Sequence, residues 1–176
     1  MRNADITKKA ERKAKTIDLS PISHFKNTYE GYGLEWSPHK QGLLASGSNN
    51  GGLQFYMPKD ESCSMFEKLG AEYTYHQDSI EDIQFCPNDA NGVATCSMDG
   101  TIQFLDLRAS DRHKSSIQIN AHECDVNVIS WNKQNPILIA SGADDGSFKV
   151  FDLRYPKEEP ITFIQWHEDQ ITSIQW

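Results

Sequence analysis

From residue 20 onward, apolar positions fall in short, closely spaced sets that no helical stripe explains. Three stretches align without a gap over twenty-four positions: WSPHKQGLLASGSNNGGLQFYMPK from Trp36, FCPNDANGVATCSMDGTIQFLDLR from Phe85, and WNKQNPILIASGADDGSFKVFDLR from Trp131. Their opening aromatics lie 49 and 46 residues apart, and Trp176 follows after another 45. A histidine stands nine residues before three of these anchors, as His76, His122 and His167, while Asn27 fills that slot before Trp36. Self-similarity at a period of roughly 40 to 50 residues indicates a solenoid or a propeller.

Inside each unit the spacing predicts strands. Ile80, Ile83 and Phe85 follow the first histidine, Val126, Ile129 and Trp131 the second, and Ile171, Ile174 and Trp176 the third. The last two of each set are two residues apart and share one face of a sheet. Leu43-Leu44-Ala45, Val93-Ala94-Thr95 and Leu138-Ile139-Ala140 predict a second strand. The pairs Asn50-Gly51, Asp99-Gly100 and Asp145-Gly146 are hairpin turns, where glycine accepts positive φ. Third strands are predicted at Leu53–Tyr56, Ile102–Leu105 and Phe148–Phe151, and fourth strands around Tyr73–Tyr75, Ser116–Ile119 and Ile161–Gln165. Four short strands per unit make a propeller blade, and no helix longer than two turns is expected between residues 21 and 176.

A histidine, a Ser97-to-Thr101 S-x-D-G-T turn and a third strand ending in an apolar residue and Asp form a pattern that resembles the WD40 repeat. Leu105-Asp106, Phe151-Asp152 and Tyr56-Met57 stand where that family has Trp-Asp. The resemblance runs from about Ser20 to Trp176. Within it, SIEDIQF, AHECDVNVISW and DDGSFKVFDLR are similar to the glutamate-rich WD-repeat ribosome assembly factors, with the retinoblastoma-binding histone-binding WD proteins as close cousins. The resemblance implies an all-β fold, a WD40 β-propeller fragment of about three and a half four-stranded blades. Three units are anchored at Trp36, Phe85 and Trp131, and a fourth begins at Trp176. An incoming strand is expected at Ile22–Phe25 and an outgoing one at Ile171–Trp176. Residues 1–19 are expected to form a basic tail and residues 20–176 the partial propeller. Its open edges are expected to recruit a second copy of the chain.

His76, Thr95 and Asp99, and likewise His122, Ser141 and Asp145, have the residue types of a nucleophilic triad. Recurrence of the trio at the same offsets in successive units argues against a unique catalytic site. In WD40 blades these positions form a structural network, so no enzymatic activity is expected. The cysteines Cys63, Cys86, Cys96 and Cys124 include no C-x-x-C pair, and the acids lack calcium-loop spacing. Neither a metal nor another cofactor is expected, and the thiols are expected to be reduced in an intracellular protein. Asp106, Arg108, Asp152 and Arg154 end two third strands. They resemble the Asp-x-Arg tails by which some WD40 proteins dock onto cullin-ring ubiquitin ligase adaptors, while the simpler reading is local pairing that tidies the strand exit.

Charge sets the remaining expectations. The chain carries a net charge of −8, yet its first twenty residues hold six basic against three acidic side chains, with Lys8-Lys9 and Arg12-Lys13-Ala14-Lys15 clustered. An acidic body is a poor partner for nucleic acid and a good one for a basic protein. By resemblance, the histidine loops and hairpin turns open on one face. That face gathers Asp78, Glu81, Asp82, Glu123, Asp125, Asp144, Glu168 and Asp169 as candidate partner-binding residues. No apolar run approaches the roughly eighteen residues of a membrane helix, and neither a membrane nor a small-molecule substrate is expected. The family likeness implies a nuclear, and within it nucleolar, factor that chaperones a basic large-subunit ribosomal protein. The alternatives it implies are a histone-binding chromatin subunit and the substrate receptor of a ubiquitin ligase.

Overall fold

A computed structural model describes residues 20–111 and 113–176. The basic cluster of residues 8–15, and the expected tail with it, lies outside the described residues. The described residues contain thirteen strands and no helix. Among the described residues, no helix is long and apolar enough to cross a membrane.

The strands form three antiparallel sheets that follow chain order. In the first, β1 (Leu34–Trp36), β2 (Leu44–Gly47), β3 (Gly52–Pro58) and β4 (Phe66–Lys68) lie side by side, and β5 (Tyr73–Thr74) also pairs with β3. The second runs β6 (Ile80–Phe85), β7 (Gly92–Ser97), β8 (Thr101–Asp106), β9 (Ile117–Asn120). The third runs β10 (Val126–Trp131), β11 (Leu138–Ala143), β12 (Ser147–Asp152), β13 (Thr162–Gln165). This is the all-β propeller architecture, with one four-stranded blade per repeat.

Alternation along the strands explains why the blades stack. On β7 and β8, Val93 and Leu105 face the first sheet and join a core with Leu43, Leu53, Phe55, Ile80 and Ile83. Their neighbours Ala94, Cys96, Ile102 and Phe104 face the other way, into a core with Val126, Ile129, Trp131 and Phe151. A strand read in steps of two thus serves two blades at once. Aromatic edges lock both seams. Phe55 meets Phe85 at 6.3 Å between ring centroids, and Phe104 meets Trp131 at 5.3 Å and 86°. Such contacts add roughly 0.5–1.5 kcal/mol each beyond the area they bury.

The two terminal strands expected from the sequence are not formed. Residues 22–25 lie against the first sheet through the Ser23 hydroxyl, which accepts the Phe66 amide at 3.0 Å, and through Phe25 on the Tyr56 ring. They make no ladder. The sheet's own fourth strand is broken. Gly70 and Ala71 are two extra residues between Leu69, whose amide reaches the Phe55 carbonyl, and Tyr73, paired with Leu53. Residues 171–176 run beside β10, held by the Ile171 amide on the Ala143 carbonyl at 3.0 Å and by Trp176 Nε1 on the Ser130 carbonyl at 2.7 Å. They too form no ladder.

Candidate functional site

Each histidine loop joins two blades. Gly100 sits at φ 79° in the second hairpin, and a Cβ there would lie 2.6 Å from the His122 carbonyl oxygen. The Ala121 and His122 amides donate to the Gly100 carbonyl at 3.0 and 3.1 Å. The histidine loop therefore lies with its backbone on the hairpin of one blade, while its side chain enters the next.

In the second blade the ring of His76 is buried. Its Nδ1 donates to Asp99 Oδ2 at 2.8 Å, since a carboxylate only accepts, which leaves Nε2 to accept from the Thr95 hydroxyl at 2.8 Å. Asp99 also takes the Gln77 amide at 3.0 Å and the Thr101 hydroxyl at 2.6 Å. Burial by itself would raise the Asp99 pKa, but the hydrogen bonds from His76 and Thr101 outweigh it and hold the carboxyl below its usual range.

The third blade is built differently. His122 Nε2 meets the Ser141 hydroxyl at 2.7 Å, but its Nδ1 meets Ser147 Oγ at 2.9 Å rather than Asp145. Asp145 instead accepts the Ser147 amide at 2.8 Å. The residue opposite the strand-two hydroxyl across the ladder also differs. Gln103 faces Thr95, whereas Lys149 faces Ser141 and sends its ammonium to the Ala121 carbonyl at 2.8 Å. Burial, followed by the Lys149 charge, pushes the His122 pKa down to about 4. Sequence reasoning passed over Gln103 and Lys149. Their signal was position, two residues beyond Thr101 and Ser147 on the same strand face.

In the first blade Asn27 takes the histidine slot, and Tyr56 donates its hydroxyl to Asn27 Oδ1 at 3.0 Å. The histidines and strand-two hydroxyls of both full blades are sealed inside them, with His76 at 6%, His122 at 8% and Thr95 and Ser141 at 0% exposure. A nucleophile so placed has no approach for a substrate.

The expected acids divide into three settings. Asp78, Glu123, Asp144, Glu168 and Asp169 are exposed, and Asp125 is half-buried. Burial, then the charges of Asp144 and Asp78, raise the Asp125 pKa, and the Asp144 amide donates to the Asp125 carbonyl at 3.0 Å. The structure gives Asp82 a different place from the open face expected for it. Its Oδ2 accepts the Ile129 amide on β10 at 3.0 Å and its Oδ1 the Ile83 amide at 2.8 Å, inside the seam. Burial raises its pKa, and together with burial it raises that of Glu35 on β1. Asp82 thereby caps an inner-strand amide that no neighbouring strand meets. Glu81 sits beside it, at a one-residue register slip.

Arg108 folds back on Asp106 with Nε and Nη2 at 2.8 and 2.7 Å and reaches Asp89 at 3.1 Å. Arg154 pairs in the same way with Asp152. Both guanidinium groups remain exposed. Cys86 and Cys96 are buried, and Cys124 is half-buried. Among the described residues, no group of three or more His, Cys, Asp or Glu could hold a metal ion.

Comparison with known proteins agrees with this geometry. The family described as WD domain, G-beta repeat matches residues 67–106 and 113–152. Ribosome assembly protein rrb1 of Schizosaccharomyces pombe is 36% identical over 84% of this chain, and WD-40 repeat-containing protein MSI3 of Arabidopsis thaliana is 31% identical over 78%. Histone acetyltransferase type B subunit 2 of Gibberella zeae is 33% identical over 50%. The chain spans 31% of the length of each of the first two and 21% of the third. Matched repeats, hairpin-bound histidine loops and four-stranded sheets in chain order lead to one assignment: the chain belongs to the WD40-repeat β-propeller proteins.

Proposed function

We propose that this chain is the propeller part of a non-enzymatic scaffold that holds a basic protein client on its acidic rim during ribosome assembly, in the nucleus and within it the nucleolus. The observation that carries the reading is the set of exposed acids on the histidine loops and hairpins, Asp78 and Asp144 among them, whose charges act on the half-buried Asp125. Like charges within reach of one another in the free protein repel, and a cationic partner relieves that repulsion. Glu123, Glu168 and Asp169 extend the same field along the histidine loops. Such a field speeds encounter with a basic protein and masks its charge until RNA takes the protein over.

The likeness to a ribosome assembly protein makes a large-subunit ribosomal protein the first client to test. Immobilised chain would be offered purified large-subunit ribosomal proteins and core histones in separate titrations. Saturable, salt-sensitive binding of a ribosomal protein at lower concentration than any histone supports the reading. Binding of neither contradicts it. A histone client within chromatin is the second reading, favoured by the resemblance to histone acetyltransferase type B subunit 2, and preferential histone binding would select it. Docking of a ligase adaptor on Asp106, Arg108, Asp152 and Arg154 would require guanidinium groups that now pair with their own strands.

A further inference from the structure

We infer that the first blade carries a socket for the imidazole of a partner's histidine, at the place where the second and third blades hold a histidine of their own. In those two blades the ring bridges the same positions. Its Nε2 meets a strand-two hydroxyl, Thr95 at 2.8 Å or Ser141 at 2.7 Å. Its Nδ1 meets Asp99 at 2.8 Å or Ser147 Oγ at 2.9 Å. The repeat puts Ser46 and Gln54 of the first blade 49 residues before Thr95 and Gln103. The ladders agree, since Ser46 faces Gln54 as Thr95 faces Gln103. Asn27 stands in the histidine slot, yet its side chain is turned to the Tyr56 hydroxyl at 3.0 Å and not to Ser46.

A cavity of about 220 Å³ lies there, lined by Asn27, Ser46, Gln54 and Glu72, with Lys26 and Lys68 also on its wall. It is smaller than a drug-sized site and suits one side chain. Ser46 is half-buried, and its hydroxyl takes part in no hydrogen bond among the described residues. The partner for the second ring nitrogen comes from elsewhere in the chain. Gly52 stands where the sister blades have Thr101 and Ser147, and a Cβ on Gly52 would collide with the Glu72 carboxylate. Glu72 therefore brings an acceptor to the side on which the sister blades place a hydroxyl. A neutral imidazole carries one donor and one acceptor on separate nitrogens of a small ring. It can accept the Ser46 hydroxyl proton at one and donate to Glu72 from the other. A primary amide has its donor and acceptor on a single carbon and does not span the two. Lys26 and Lys68 make a small anion the rival occupant, and the Glu72 carboxylate opposes it.

The probes are imidazole, N-acetylhistidine methylamide, N-acetylglutamine methylamide and inorganic phosphate. Each is titrated at pH 8, where the histidine ring is neutral, into the ¹⁵N-labelled full chain and followed by amide shifts. Both ring probes should move the amides of Ser46, Gln54 and Glu72 saturably, in the millimolar range that so small a ligand allows. They should leave Thr95 and Ser141 unmoved, because His76 and His122 already hold those hydroxyls. The glutamine probe and phosphate should not produce these shifts. Ser46→Ala should weaken ring binding about fivefold, the value of one hydrogen bond. Glu72→Ala should weaken it about tenfold, as the loss of a charge-assisted bond does. Each variant is first checked for the dispersed spectrum of the native chain, and either one that keeps it serves the test. No saturable shift, equal binding of the glutamine probe, phosphate moving the same amides more strongly than the ring probes, or ring binding indifferent to the substitutions would each overturn the socket. Binding of imidazole without the histidine probe would overturn it too, since a partner presents the ring on a backbone.

Discussion

Acidification should weaken this fold through one histidine. His122 is buried against Ser141 and Ser147, and its pKa is pushed down to about 4 by burial and by the Lys149 ammonium. In the unfolded chain an unperturbed histidine titrates near 6.5. Below that value the unfolded state takes up a proton that the folded state refuses, so stability falls as the pH drops from about 6.5 towards about 4. A shift of roughly 2.5 units at 1.36 kcal/mol per unit amounts to about 3 kcal/mol over the whole window, of which about 2 kcal/mol is lost by pH 5. Urea unfolding at pH 7.5, 6 and 5 measures this, with His122→Gln as the comparison. Groups such as Asp82, Asp99 and Asp125 titrate in both proteins, so the difference between the two curves isolates His122. The variant should be less stable at pH 7.5, having lost buried hydrogen bonds, and its curve should be flatter between pH 7.5 and 5. Parallel curves, or a His122 ring whose proton resonances titrate near 6.5, would refute the reasoning.

Three other substitutions probe the seams. Asp82→Ala leaves the Ile129 amide without its acceptor and should cost about 1–3 kcal/mol in urea unfolding. Gly100→Ala forces a Cβ towards the His122 carbonyl at a φ of 79° and should cost about 1–3 kcal/mol by the same assay. Arg108→Ala removes an exposed pair with Asp106 and should leave the urea midpoint unchanged, because solvent screens such pairs.

The strands that the sequence made legible are those with two buried faces and a repeat to calibrate them. Val93, Thr95 and Leu105 on one side of the second blade, and Ala94, Ile102 and Phe104 on the other, follow from alternation alone. The terminal strands at Ile22–Phe25 and Ile171–Trp176 carried the same apolar spacing but lack a ladder, since spacing reports which faces are apolar and not whether a partner strand is present. The histidine network was visible as far as His76, Thr95 and Asp99. In the third blade His122 Nδ1 meets the Ser147 hydroxyl instead of Asp145, a difference that similar residues at similar offsets did not announce. Asp82 looked like one more rim acid because charge patterning cannot tell an exposed carboxylate from one turned into a seam. The bulges at Glu81 and Asn127 leave no sequence signal, for a one-residue register slip is decided by how two strands close on each other.

The rim itself is tested most directly by association kinetics. Stopped-flow binding of a purified basic large-subunit ribosomal protein would be followed across ionic strength for the native chain and for the triple substitution Asp78→Asn, Asp125→Asn, Asp144→Asn. The account predicts a fast, strongly salt-dependent association rate for the native chain, falling by about tenfold or more on substitution with a shallower salt slope, while dissociation changes less. Equal rates and equal salt slopes for the two proteins would contradict it.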